Sequence, residues 1–230
     1  MEGSTPFGRR MERGSCSHRI GRERGGPTNV FWKAADGSGP EERLTTSPNG
    51  QRPSSSSPDG RTIIYTESSP KTGSDVWVLP MEGDRKPREF LKTPFEESAA
   101  QISPDGHWVA YVSDESGRLE VYVRPFPGSG GKWQISAEGS SEVAWSPKGN
   151  ELFYRTGGQK EKLMVVDVQT QPIFSAGKPR LLFEGPYVSN LGGPGAFYSV
   201  SPRRPALSDD EGARPAANRP HPDQRRSELV

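Results

Sequence analysis

The sequence predicts an all-β fold, a β-propeller of four-stranded blades, and three observations carry that prediction. The first is a recurring turn: Ser57-Pro58-Asp59-Gly60, Ser103-Pro104-Asp105-Gly106 and Ser146-Pro147-Lys148-Gly149. The second is its spacing, with 46 and then 43 residues between successive serines. The third is the order of apolar runs after each turn. A β-branched and aromatic run comes first, at 62–66, 108–112 and 151–155; a second apolar run lies at 75–79, 119–123 and 163–167; a third lies at 88–91, 132–135 and 180–183. With the strand that leads into the turn, each unit has four short strands. A near-constant period in this range, built of strands and turns, is the pattern of propeller blades.

The turn residues have separate physical roles. Ser suits the first position, where its hydroxyl can bond a backbone N–H further on. Pro suits the second, because its ring already fixes φ. Gly suits the fourth, where a left-handed backbone costs a residue without Cβ almost nothing. A type I turn closed by a left-handed Gly joins two antiparallel strands. Each SPxG tetrapeptide therefore reads as a hairpin, and its flanks, rich in Val, Ile, Trp and Tyr, read as its strands.

Taken in order, residues 1–28 hold little apolar material and no period, so they predict a disordered or out-of-frame segment. The patterned region is 29–202. Its first part supplies two strands, Val30-Phe31-Trp32-Lys33 and Glu42-Arg43-Leu44-Thr45, joined by a turn at Asp36-Gly37, as in the second half of a blade. Ser47-Pro48-Asn49-Gly50 copies the turn, but Gln51-Arg52-Pro53-Ser54 comes after it; the expectation there is a connecting loop. Full units are expected at about 51–95, 98–138 and 141–185, and a further unit begins at 196–202. Then Arg203-Arg204-Pro205 replaces the expected strand, and 203–230 reads as a second disordered or out-of-frame tail. Both breaks are abrupt, near Pro27 and Pro202, which predicts a shifted reading frame on either side. Translating the neighbouring frames would test this.

The repeat resembles the propeller of TolB, whose blades carry the same Ser-Pro-Asp-Gly turn, and more closely the TolB-like (WD-repeat-like) propeller tails of bacterial serine/threonine kinases. The residues that carry the resemblance are the three turns, Asn29 through Gly37, Glu42 through Pro48, and Val121-Tyr122-Val123-Arg124-Pro125-Phe126-Pro127-Gly128. It covers roughly 29–202 and implies a sensor or binding module, extracytoplasmic in that family. Propellers host many unrelated activities, so the resemblance is more specific for fold than for function. Two other parents share such blades: a prolyl-oligopeptidase-like peptidase, whose propeller gates substrate entry, and a free-standing TolB-like envelope protein.

Composition and motifs narrow the chemistry. Hydrophobic residues make up 30% of the 230, while Gly (27) and Pro (23) are abundant, as turn-rich β structure requires. The net charge is +1, but residues 29–200 hold 18 basic and 21 acidic side chains; that balance gives no phosphate-binding stripe and predicts no nucleic-acid partner. Cys16 is the single cysteine, so no internal disulfide forms, and with His18 alone beside it no metal site is expected. No apolar run reaches the length of a membrane span, and no apolar core comes after the N-terminal arginines as a secretory leader would require. The sequence lacks G-x-S-x-G, a Gly-rich phosphate loop, His-Arg-Asp, Asp-Phe-Gly and H-E-x-x-H, so no catalysis and no cofactor are expected. His107 reads as an exposed hairpin residue. The acidic pairs Glu96-Glu97 and Asp114-Glu115 fall in expected loops, and sequence cannot place them relative to one another. Trp32, Trp77, Trp108, Trp133 and Trp145 lie on or beside strands and are expected to pack between blades. The unfinished set of blades is expected to form an open arc that self-associates through its edges; the alternative is a small closed ring in which the strands around Phe31 and Leu44 join the one around Tyr198 as a composite fourth blade.

Overall fold

The computed structural model describes residues 16–22 (as backbone), 27–34, 36, 38–128, 130–156 and 161–185, and every regular element among them is a β-strand. The strands form four antiparallel sheets that succeed one another along the chain. The first contains β1 (Cys16–Arg22), β2 (Thr28–Ala34) and β3 (Glu42–Arg43). The second contains β4 (Gly50–Ser56), β5 (Thr62–Ser69), β6 (Gly73–Pro80) and β7 (Arg88–Leu91), hydrogen-bonded in that order. The third repeats it with β8 (Glu97–Ile102), β9 (Trp108–Ser113), β10 (Glu120–Pro125) and β11 (Trp133–Gln134). The fourth runs β12 (Glu142–Trp145), β13 (Glu151–Thr156), β14 (Glu161–Gln169), with both β15 (Ser175–Ala176) and β16 (Arg180–Gly185) paired to β14. The last three sheets are the three units expected from the repeat.

The alternation of side chains along each strand explains how the sheets pack. In β5, Ile63 and Tyr65 pack with Val30, Leu79 and Met81 and touch Trp32 of the first sheet. Ile64, between them, points the other way and packs with Val109, Tyr111 and Tyr122 of the third. In β9 the odd positions face back and the even positions, Ala110 and Val112, face forward onto Val143, Leu152 and Tyr154 of the fourth. The middle strands are thus buried on both faces, and each fully buried Val, Leu or Ile contributes ~1.5–3 kcal/mol of hydrophobic free energy. On the far face of the fourth sheet, Phe153, Leu163 and Val165 form a smaller cluster with Leu182. Buried Arg155 sits beside it, bonded to Glu142 at 3.4 Å and to Glu161. Leu181 and Phe183 of β16 are exposed.

Three features differ from the sequence expectation. Gly50 through Ser54, expected in a connecting loop, form the first part of β4. This strand pairs on one side only, with β5, so Pro53 removes no needed donor, and the register shifts between Pro53 and Ser55. Residues 16–22, in the stretch expected to lack structure, form β1, paired to β2 from Cys16↔Ala34 to Arg22↔Thr28. Main-chain ladders require no apolar pattern, which is why composition gave no sign of it. The fourth sheet gains β15, which no repeat position announced. The unit expected from residue 196, the tail 203–230 and residues 1–15 lie outside the described residues.

Candidate functional site

The three turns form as the residue types require. In each, the glycine N–H donates to the serine carbonyl at 2.9 Å: Gly60 to Ser57, Gly106 to Ser103, Gly149 to Ser146. The glycines have φ of +71°, +78° and +72°. The serine hydroxyl accepts the N–H five residues on: Thr62 and Trp108 donate at 3.0 Å, Glu151 at 3.1 Å. In the first two turns the same hydroxyl donates to the aspartate, Ser57 to Asp59 at 2.5 Å and Ser103 to Asp105. Each Asp Oδ1 also accepts a backbone N–H at 3.0 Å, from Arg61 and His107 respectively. The Ser57 hydroxyl and then the Arg61 amide hold Asp59 below the usual carboxylate range. Partial burial works upward at Asp105, but the Ser103 hydroxyl and the His107 amide outweigh it, and that carboxyl too is lowered.

Successive turns nest. A Cβ on Gly106 would lie 3.8 Å from Pro58 Cδ, and one on Gly149 would lie 3.5 Å from Pro104 Cδ. The turns therefore share one face of the molecule. Between the first two lies an open cleft of about 560 Å³. Val78, Phe90 and Phe126 supply apolar wall, with the Phe90 and Phe126 rings edge to face at 5.4 Å. Asp59, Asp105, His107 and Arg88 supply its polar rim. His107 is exposed as expected, and the structure adds that it borders this cleft. The arrangement can hold a ligand with one apolar and one polar side. Among the described residues no group of His, Cys, Asp and Glu is arranged to hold a metal ion.

The sequence reading missed a second repeated constellation, at the opposite end of the strands. A polar residue precedes the first valine of the strand: Asn29 before Val30, Asp75 before Val76, Glu120 before Val121. In the first sheet Asn29 Oδ1 accepts the Ser47 N–H at 2.9 Å, and Thr45 Oγ1 accepts the Val30 N–H at 3.0 Å. In the third, Glu120 Oε1 accepts the Gly139 N–H at 2.9 Å, and Ser136 Oγ accepts the Val121 N–H at 2.8 Å. These bonds pin the crossing to the next sheet. The second sheet departs from the pattern, since Lys92 stands where the hydroxyl residue does in the others, just after the apolar residue opposite the valine.

The acidic pairs are brought together there. The Glu96 N–H donates to Asp114 Oδ1 at 2.9 Å, and the Ser74 N–H donates to Glu96 Oε2 at 2.9 Å. Burial raises the Glu97 carboxyl, against the Thr93 hydroxyl that donates to it, and Asp75 and Glu115 push it further up. Trp108 meets Trp133 of its own sheet at 5.6 Å and reaches across to Phe174, just before β15 of the fourth sheet, at 5.0 Å. Trp108 Nε1 donates to the Thr170 carbonyl at 3.2 Å, and Trp145 Nε1 to that of Gln101 at 3.1 Å. Tyr65, Tyr111 and Tyr154, each eight residues past its turn serine, are buried. Burial raises all three hydroxyls, that of Tyr154 to about 12, so they stay neutral packing groups.

The fold superposes on known propellers. A solved structure described as TolB, from Agrobacterium tumefaciens, superposes with a TM-score of 0.63 at 17% identity, over 74% of this chain and 62% of that one. A puromycin-hydrolyzing peptidase of Mycobacterium tuberculosis superposes with a TM-score of 0.50 at 19% identity, over 70% of this chain and 28% of that one. In sequence, the chain is 31% identical over 105 residues to Tricorn protease homolog 1 of Streptomyces coelicolor, which covers 44% of this chain and 9% of that protein. The chain thus spans only part of each protein it matches. No family model matches it. The described residues have the fold of a β-propeller with TolB-like blades.

Proposed function

We propose that this chain acts as a non-catalytic binding module and that it belongs to the sensor propeller of a bacterial serine/threonine kinase, working outside the cytoplasm. The observation that supports binding is the cleft between the first two nested turns, apolar on its Phe90–Phe126 wall and polar along Asp59, Asp105 and His107. The kinase origin rests on the resemblance of the Val121–Gly128 stretch and the turns to those tails. The region 29–202 is the propeller on this reading, and its unfinished edges favour self-association.

The test has two arms. The flanking nucleotide sequence should hold a kinase frame upstream. The purified chain should show neither phosphotransfer nor peptide hydrolysis; turnover that survives repurification and is lost on substituting a residue of this chain would overturn the reading. Light scattering behind size exclusion should find assemblies larger than one chain.

A second reading has its own support. The 31% identity to a tricorn protease homolog and the superposition on a peptidase favour the propeller of a peptidase, where it would control access to a separate catalytic domain. A hydrolase frame downstream of the gene would decide for it.

A further inference from the structure

The junction between the second and third sheets leaves buried carboxylate oxygens without partners. Asp75 is 1% exposed and Glu97 is 2% exposed. Thr72 Oγ1 donates to Asp75 Oδ2 at 2.6 Å, and Thr93 Oγ1 donates to Glu97 Oε1. Asp75 Oδ1, Glu97 Oε2 and Glu115 Oε1 are buried and bonded to nothing. The equivalent acid of the third sheet, Glu120, has both oxygens satisfied, by Ser136, Gly139 and Arg118. The difference stems from Lys92, which offers no hydroxyl at the place of Thr45 and Ser136.

The surrounding charges offset the cluster only in part. Glu67 lies directly across the ladder from Asp75, and Lys92 feels both, but Lys92 points to solvent and bonds Glu89. Lys132 pairs with the other oxygen of Glu115. From β9, Tyr111 faces Glu97 and Glu115 with a hydroxyl that burial keeps neutral. From β10, Arg124 acts on Tyr111 and lies over the Phe90 ring at 5.5 Å, its Nε buried without a partner. Glu96, exposed on the connecting loop, commits its carboxylate to the Ser74 amide. The charges of Asp75 and Glu115 on Glu97 are therefore both negative, and a buried unpaired carboxylate is costly.

We propose that Glu97 is a proton-operated catch between the second and third sheets: neutral, it closes the junction against Asp75 and Glu115, and ionised, it loosens it. Protonated at Oε2, the neutral acid removes one uncompensated buried charge and brings a single donor into a junction where the buried oxygens of Asp75 and Glu115 lack one. A carboxyl raised on folding binds its proton more tightly in the folded state. Stability from this group is complete below the ordinary carboxylate value and falls as pH rises through the raised one. The seam would open first, because the Ser74 and Glu96 amides are held by loop carboxylates rather than by the sheet ladder.

Glu97→Gln in the full chain tests this. The amide keeps the acceptor for Thr93 and adds a permanent donor. The ratio of wild-type to Glu97→Gln unfolding constants should rise about tenfold per pH unit between the ordinary and the raised carboxyl value, then level off. Hydrogen-exchange protection of the Ser74 and Glu96 amides, corrected for intrinsic rates, should fall over the same window in wild type and stay flat in the variant. Asp75→Asn should move the wild-type window to lower pH, while Glu96→Gln should leave it in place. A ratio independent of pH, or a window that Asp75→Asn does not move, would overturn the proposal.

Discussion

The turn at Ser103 and the turn at Ser146 reach one geometry with different acceptors. In the first, the Ser103 hydroxyl donates to Asp105, two residues on. In the second, Lys148 occupies that place and cannot accept; the Ser146 hydroxyl instead donates to Asn150 Oδ1, four residues on, at 3.1 Å. The backbone is indifferent: the glycine bond is 2.9 Å in both, and φ is +78° and +72°. Serine and glycine therefore set the turn, and the polar partner is a replaceable support. Replacing the aspartate changes charge more than shape, since the acidic rim of the cleft belongs only to the turns that kept it.

The glycines should give the largest effect, equally in both turns. Gly106→Val and Gly149→Val should each cost ~1–3 kcal/mol, read as a shift of the denaturant midpoint. At Gly106 the added Cβ would meet Pro58 Cδ at an ordinary 3.8 Å, so the cost there is backbone strain at positive φ. A neutral Gly106→Val would mean that the turn does not hold this conformation.

The serines come next. Ser103→Ala and Ser146→Ala each remove one acceptor and one donor, and should cost ~0.5–1.5 kcal/mol. The supports should then separate the two turns. Asp105→Ala should destabilise by ~0.5–1 kcal/mol and Asn150→Ala by a similar amount, whereas Lys148→Ala should lie within about 0.5 kcal/mol of wild type. A double-mutant cycle of Ser146 with Asn150 should show coupling, and one of Ser146 with Lys148 none; coupling to Lys148 would break the comparison.

The smallest effect is in the pH dependence. The Asp105 carboxyl sits below its ordinary value in the fold, so its contribution is present above that value and lost as pH falls through the lowered one. Asp105→Asn should flatten this acid limb while changing neutral stability little, because the asparagine oxygen still accepts. The Ser146 turn has no titrating acceptor, and Asn150→Asp should introduce an acid limb there. Urea melts from acidic to neutral pH would show both.

Much of this molecule was legible in the chain before folding. The turn type depends on local backbone preferences of Pro and Gly and on a serine hydroxyl acting within a few residues, so three tetrapeptides announced three hairpins. The blade order came from apolar runs at a constant spacing, because strands buried on both faces have no room for polar side chains. What sequence did not show is whatever depends on backbone partners or on distant loops. Gly50 through Ser54 look like a loop because their Gln, Arg, Pro and Ser carry no strand pattern; a one-sided ladder to β5 makes them strand. Asn150 replaces Asp105 as acceptor only because the turn brings position four back over the serine. Glu96-Glu97 and Asp114-Glu115 were both expected in loops, but Glu97 opens β8, and only the packing of the third sheet on the second buries it and sets it near Glu115 and Asp75. Local rules depend on a few bonds along the chain, whereas burial and charge depend on what the fold places across the gap, and that part the tertiary structure alone decided.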